Sequence, residues 1–273
     1  DINAFKATNC GESVKIYFGK SNAREIYEYD VNTGDATFKF ALPPTVVYNH
    51  PTLGSMPVPL GIGDGDIAVT SNKVFFLNWF TAPDPTGTFP MDYSFIGRYD
   101  IDWNTLVLTN FVMIEEPSGV NYVDGFAVSL EAVSDDLVLV DWYQGAVSGG
   151  FLPATQNEIR EYDFSLLTNT TFIDVNATFN NMTGCNDLAF DGTHVYMLIA
   201  DFSVGTDYTI RKFDYTTQVL VSTSPSISFS INAMAPPGIA VLDGKVYVTE
   251  DFGNVLVYDA VTLNYLYNKD VTN

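Results

Sequence analysis

The chain has 273 residues, 47% of them hydrophobic and 14% aromatic, and its 33 acidic against 12 basic side chains give a formal net charge of −21. That apolar content is ample for a core and argues against disorder, while the charge repels phosphate backbones and anionic lipid surfaces, so nucleic acid is excluded as a partner. No run approaches the roughly 18 apolar residues of a membrane span, so no direct membrane insertion is expected.

In chain order, the first strands are predicted at 4–8, 14–18 and 25–30, the last of them ending in Tyr29-Asp30. A Pro-rich stretch, 43–59, reads as a long loop or as a degenerate unit. Next comes a short apolar run, Asp66-Ile-Ala-Val69, a β-rich segment at 74–80, a long loop over 81–93, and a strand ending in Tyr99-Asp100. The same order returns with Gly125-Phe-Ala-Val128, strand 137–143, loop 144–157 and Tyr162-Asp163. It returns again with Asp187-Leu-Ala-Phe190, strand 195–200 and Phe213-Asp214, and once more with Gly238-Ile-Ala-Val241, strand 246–249 and Tyr258-Asp259. Polar tight turns, Asp191-Gly-Thr193 and Asp243-Gly-Lys245, supply hairpin chemistry between the first two strands of the later units.

The five aromatic-Asp pairs are spaced by 70, 63, 51 and 45 residues, so a supersecondary unit repeats while its loops vary in length. Four antiparallel strands per unit, repeated radially, predict an all-β fold: a single β-propeller of five blades, over 1–45, 60–115, 120–180, 183–228 and 235–273. A six-bladed propeller and a β-sandwich are the alternatives. No stretch carries a convincing helical period, so helices are expected to be few.

Several features place the chain outside a cytoplasm. Asn169-Thr-Thr171, Asn176-Ala-Thr178 and Asn181-Met-Thr183 are three glycosylation acceptors close together, expected on and after the outermost strand of the third unit. The chain opens at Asp1 without a methionine, as a processed secreted protein or an excised domain would. Cys10 and Cys185 permit one disulfide in an oxidising compartment, although the strand placement puts them on opposite faces of a propeller.

The last unit, Pro236-Pro-Gly-Ile-Ala-Val-Leu-Asp-Gly-Lys-Val-Tyr-Val-Thr-Glu-Asp-Phe-Gly-Asn-Val-Leu-Val-Tyr-Asp259, resembles a repeat of the NHL and YVTN type β-propellers, and 186–214 is similar but looser. That resemblance implies a fold and leaves function open, since such propellers include binding scaffolds, surface-layer proteins and hydrolases. Asn186-Asp187-Leu-Ala is also similar to the turn before an innermost strand in paraoxonase and gluconolactonase type propellers, which implies a channel calcium; Pro237-Gly238 departs from their pattern.

The chemistry-bearing residues are few. His194 lies in a predicted hairpin and His50 in the long loop, and no nucleophile elbow, phosphate loop or zinc spacing accompanies them. Asp64, Asp66, Asp124, Asn186 and Asp187 fall in turns around one mouth of the predicted channel, where carboxylates and amides could hold Ca²⁺, the one cofactor the sequence suggests; Asp and Gly also simply make such turns. An acid or amide followed by an aromatic recurs at the predicted ends of the second strands, in Asn78-Trp79-Phe80, Asp141-Trp142-Tyr143, Asp201-Phe202 and Asp251-Phe252. Trp79, Phe80, Trp142, Tyr143, Phe202 and Phe252 are therefore the candidate binding face, with packing between blades as the competing use of the rings. These residues favour a non-catalytic extracellular or cell-surface propeller, a binding or assembly module of a surface, matrix or filament that contacts protein or glycan through its loops. A calcium-dependent lactonase-like hydrolase is the alternative.

Overall fold

The computed structural model describes residues 2–9, 14–20, 24–29, 35–50, 53–60, 66–83, 90–115, 125–144, 156–179, 183–201, 207–228, 237–249 and 254–270. The first sheet is β1 (Ile2–Asn9), β2 (Val14–Lys20), β3 (Glu25–Tyr29) and β4 (Ala36–Ala41), and a hairpin of β5 (Thr45–His50) and β6 (Gly54–Pro59) follows it. The second sheet is β7 (Ile67–Val69), β8 (Lys73–Pro83), β9 (Pro90–Asp102) and β10 (Val107–Glu115). The third is β11 (Gly125–Ala132), β12 (Leu137–Gln144), β13 (Gln156–Asp163) and β14 (Thr168–Asp174), with the single turn of helix α1 (Val175–Thr178) after it. The fourth is β15 (Thr183–Phe190), β16 (His194–Asp201), β17 (Asp207–Asp214), β18 (Leu220–Thr223) and β19 (Ile227–Ser228). The fifth is β20 (Ile239–Leu242), β21 (Lys245–Thr249), β22 (Asn254–Asp259) and β23 (Tyr265–Asp270).

The leading strands close a cycle: β1 lies against β7, β7 against β11, β11 against β15, β15 against β20, and β20 against β1. The result is a ring of small antiparallel sheets with the arrangement of a β-propeller, not the two stacked layers of a sandwich. The expectation of five four-stranded sheets needs correction, because four have four strands and the fourth in chain order has five. Its outer strand is broken at Ser224-Pro-Ser226, where Pro225 has no N–H to offer. There the Ser224 amide donates to Ile210 O at 2.9 Å and the Ile210 amide donates to Ser224 Oγ at 2.9 Å, so β18 and β19 lie in succession along β17. The six-bladed alternative fails at 43–59, which contributes a two-stranded hairpin instead of a loop or a further four-stranded sheet. Tyr48 on that hairpin packs edge-on against Phe80 at 4.9 Å and stacks on Phe95 at 6.3 Å, tying it to the second sheet.

Strand register explains the recurring aromatic-Asp pairs. Tyr29, Tyr99, Tyr162, Phe213 and Tyr258 sit opposite Ile16, Val74, Val138, Val195 and Val246, one β-branched partner near the start of each second strand. Such cross-strand pairs are the unit of sheet stability. The Asp then makes the turn: Asp163 accepts from the amides of Ser165 and Leu166, Asp214 from the amide and hydroxyl of Thr217, and Asp259 from the amides of Val261 and Thr262. In the second sheet β9 runs two residues farther, and the turn moves with it. Asp102 takes the turn amide of Asn104, while Asp100 is released to bind Lys73 Nζ at 2.5 Å and Asn110 Nδ2 at 2.7 Å. Four residues after each turn Asp the backbone is left-handed, at Leu106, Leu167, Gln218 and Leu263.

Apolar side chains fill the joints between successive sheets. Leu139, Ile159, Phe172, Leu188, Met197 and Phe213 pack between the third and fourth, and Tyr196, Leu198, Ile210, Ile239, Val248 and Tyr258 between the fourth and fifth. Gly97 faces the Phe76 ring so closely that an added Cβ would lie 2.2 Å from it, so any larger residue there would have to displace that buried ring.

Candidate functional site

The same register corrects the predicted inner turns. Opposite the conserved spacing of the second strands, Asp66-Ile67, Asp187-Leu188 and Gly238-Ile239 are equivalent, and in the third sheet the matching pair is Ser129-Leu130. Gly125-Phe-Ala-Val128 is a four-residue extension of β11 ahead of that position, so the alignment that brought Asp124 into the ring does not hold. Asp124 and Asp64 themselves lie outside the described residues.

Asp66 and Asp187 perform one task at equivalent places. Asp66 Oδ1 accepts the amide of Ile67 at 2.7 Å and its Oδ2 accepts the amide of Leu130, on the next sheet, at 3.0 Å. Asp187 Oδ1 accepts the amide of Leu188 at 2.8 Å and its Oδ2 that of Ile239, again on the next sheet, at 2.8 Å. Each carboxylate thus clips two neighbouring innermost strands. Gly238 is part of the second clip, since a Cβ there would come 3.3 Å from Asp187 Oδ2. Asn186 donates Nδ2 to Tyr208 Oη at 3.2 Å. No group of three or more His, Cys, Asp or Glu side chains able to hold a metal is found among the described residues.

A carboxylate missed as a ligand candidate is the least expected group in the ring. Asp141 is 1% exposed, stands directly opposite Ser129 across the β11–β12 pair, and neither of its oxygens has a hydrogen-bond partner among the described residues. Burial pushes its pKa well above the ordinary 3.8, and the charge of Asp187 adds to the rise. Ser129 Oγ, Asn157 Oδ1 and Thr183 Oγ1 are buried without partners in the same joint, while Asn157 Nδ2 donates to Thr183 O at 2.8 Å. The signal in the sequence was present: an Asp in the apolar run Leu137-Val-Leu-Val-Asp141 has no reason to be there as a core residue.

The predicted binding face is corrected where it can be seen. Phe80 is 7% exposed and Trp142 1%, both inside the molecule, because β8 and β12 continue past them to Pro83 and Gln144. The side chains of Trp79 and Tyr143, and all of Phe202 and Phe252, lie outside the described residues. What remains is the placement of the connections. The described ends of the second and third strands, Pro83 and Pro90, Gln144 and Gln156, Asp201 and Asp207, and Thr249 and Asn254, share one face of the ring. On the opposite face the turns are short, as at 133–136, 191–193 and 243–244. An open cleft of ≈ 430 Å³ lies on that short-turn face, lined by Phe190, Asp191, His194, Val241, Asp243 and Ala260. His194 Nδ1 is 3.3 Å from Asp191 Oδ2, which also accepts from Tyr196 Oη at 2.8 Å, so the imidazole braces the hairpin. The side chain of His50 is outside the description.

Asn169 is on the outer strand β14, its Oδ1 accepting from Arg160 Nε at 2.9 Å and Nη2 at 2.7 Å. Asn176 is in α1, capped by Asp174, whose Oδ1 accepts the Ala177 amide at 2.8 Å. Asn181 and Cys10 lie outside the described residues, and Cys185 is buried with its Sγ 3.6 Å from Asp187 O.

No family model matches the chain, and no curated protein sequence matches it. Among solved structures it is similar to the computationally designed Ika8 protein, at 14% identity over 98% of this chain and 86% of that one, with a TM-score of 0.40. It is likewise similar to apo AztD from Citrobacter koseri, at 11% identity over 98% of this chain and 86% of that one, with a TM-score of 0.44. The propeller arrangement rests on the strand pairing and the closed cycle of leading strands, and neither alignment adds a functional argument.

Proposed function

We propose that this chain is a non-catalytic, extracellular β-propeller of the NHL and YVTN kind, a binding or assembly module that contacts a protein or glycan through its loop-bearing face. We count its five-stranded sheet as one blade with a broken outer strand, which makes the propeller five-bladed. The observation that supports the reading is the asymmetry of its faces: the longer connections leave one side of a ring whose other side is closed by tight turns. Rigid scaffolds with long loops gathered on one face use them for contact. The ring is braced for such a role, because Asp66 and Asp187 are engaged in holding neighbouring sheets together. A glycan at Asn169, which pairs with Tyr162 on the outer strand β14, would leave the loop face open, whereas one at Asn176, in α1 directly after the Asp174 that pairs with Glu158, would stand beside it.

The test is a glycan array and analytical ultracentrifugation on protein secreted from eukaryotic cells, beside a variant in which 145–155 is replaced by a Gly/Ser linker of equal length. Glycan binding or self-association that the replacement abolishes supports the reading. Hydrolysis of lactone or ester substrates that requires calcium, with neither binding nor assembly, overturns it in favour of the hydrolase.

A further inference from the structure

We propose that the joint between the third and fourth sheets binds one calcium ion, held by Asp141 with the side-chain oxygens of Ser129, Asn157 and Thr183, and with Asp187 completing the charge. The site is separate from the turns at the channel mouth and shares only Asp187 with them. Among the described residues, five buried oxygens here lack partners: both of Asp141 and one each of Ser129, Asn157 and Thr183. Their exposures are 1%, 3%, 0% and 1% for Asp141, Ser129, Asn157 and Thr183, so bulk water does not satisfy them.

Register brings them together. Ser129 and Asp141 are directly opposed, and Asn157, opposite Tyr143, is diagonal to Asp141 on the same side of the sheet. That side faces the fourth sheet, since Asn157 Nδ2 bonds Thr183 O at 2.8 Å and the Phe190 amide donates to Glu131 Oε1 at 3.3 Å. Buried polar groups are nearly always paired, and a set of orphaned oxygens around a carboxylate, with no Lys, Arg or His bonded to it, is the donor set of a hard cation. Calcium takes six to eight oxygens in loose geometry, which suits one or two carboxylates with hydroxyls and an amide. A +2 ion also offsets the charge that Asp187 places on Asp141. The proposal stands whether or not the loop face binds a partner.

Equilibrium dialysis of the full chain against ⁴⁵CaCl₂, at an ionic strength fixed with KCl because a body of net charge −21 responds to any salt, should show about one high-affinity ion. Binding that magnesium matches at equal concentration, or no ion retained at all, overturns the proposal without any variant. Calcium at roughly a hundred times its dissociation constant should raise Tm by on the order of 5 °C. Asp141→Asn should abolish both readouts, and Ser129→Ala, which keeps the charge, should weaken binding about tenfold. Calcium binding unchanged in Asp141→Asn would place the ion elsewhere and sink the assignment. Should Asp141→Asn not fold, the dialysis result with Ser129→Ala decides, unchanged affinity counting against the site.

Discussion

The joint between the fourth and fifth sheets and the joint between the third and fourth are built on one plan and treat polarity in opposite ways. In the fourth–fifth joint the large polar side chains are paired, with Ser222 Oγ, opposite Lys212, left without a partner among the described residues: Tyr196 Oη donates toward Asp191 Oδ2 at 2.8 Å and Ala260 O at 3.1 Å, Lys212 Nζ donates to Ala260 O at 2.9 Å, and Asp187 clips Ile239. Lys212 also lies over the Tyr196 ring at 5.4 Å. The third–fourth joint has an apolar body as large, yet Asp141, Ser129, Asn157 and Thr183 carry oxygens without partners. A satisfied network fixes one packing, whereas unsatisfied oxygens cost stability until something fills the space. The contrast therefore marks which joint is scaffold and which is a site.

The largest effect expected in the scaffold joint is that of Tyr258→Ala. Tyr258 is 5% exposed between the fourth and fifth sheets, and its loss should cost about 3 kcal/mol or more by the usual price of large-to-small core changes. Denaturant titration checks it. An unchanged midpoint would mean that the joint is not the packed element described.

Next in size is the clip. Asp187→Ala leaves the amides of Leu188 and Ile239 without their acceptor, an expected loss of about 2 kcal/mol. Part of it should return in the third–fourth joint, where Asp141 loses a like charge. A double-mutant cycle with Asp141→Asn therefore measures coupling across the two joints, and strict additivity would show that the carboxylates do not sense each other.

The pH profile separates the buried Asp141 from the turn carboxylates by sign. Asp141 has a raised pKa in the folded chain, so its contribution is complete below the unfolded value near 3.8 and is lost as pH rises through the folded value. The acids beside it are Asp187, whose charge raises it, and Glu131, two residues along β11 from the Ser129 opposite it, whose Oε1 takes the Phe190 amide. The turn carboxylates Asp163, Asp214 and Asp259 are shifted the other way, mainly by hydrogen bonds from Ser165, Thr217 and Thr262, so their contribution is present above 3.8 and is lost as pH falls. In calcium-free buffer, Tm scanned from about pH 3 to pH 8 should fall less on its neutral side in Asp141→Asn than in the parent. The acid side should be unaltered by that substitution; a change confined to the acid side would assign the raised pKa to another group.

Much of this ring was legible in the sequence because the aromatic-Asp pairs repeat for a local reason, a ring opposite a β-branched residue followed by a turn. The error of one strand in the fourth sheet came from Pro225, which breaks its outer strand without ending the sheet. The misplaced inner turn came from Gly125-Phe-Ala-Val128, which imitates the Asp66-Ile-Ala-Val69 pattern although Ser129-Leu-Glu-Ala132 occupies that register. Composition matched the pattern, and pairing decided against it. Trp142 and Phe80 were read as strand ends because a periodicity has no marker for how far a strand continues. Asp141 went unnoticed as a ligand for the same reason, since placing it at a strand end made its burial invisible.

The smallest expected effect sharpens the comparison at one backbone position. Leu263 and Gln218 occupy equivalent left-handed turns, at φ 56° and 59°, four residues after Asp259 and Asp214. Leu263 is fully buried in the fourth–fifth joint, whereas Gln218 is exposed. A left-handed conformation costs an ordinary L-residue roughly 1–2 kcal/mol and glycine little, although glycine gives back part of the gain through the entropy of the unfolded chain. Gln218→Gly should then stabilise by about 0.5 kcal/mol. Leu263→Gly relieves the same backbone and yet should destabilise by about 2 kcal/mol, because the lost side chain fills the scaffold joint. Chemical denaturation of the two variants side by side reads the difference. If both shift in the same direction, the side chain of Leu263 contributes nothing to the packing of that joint.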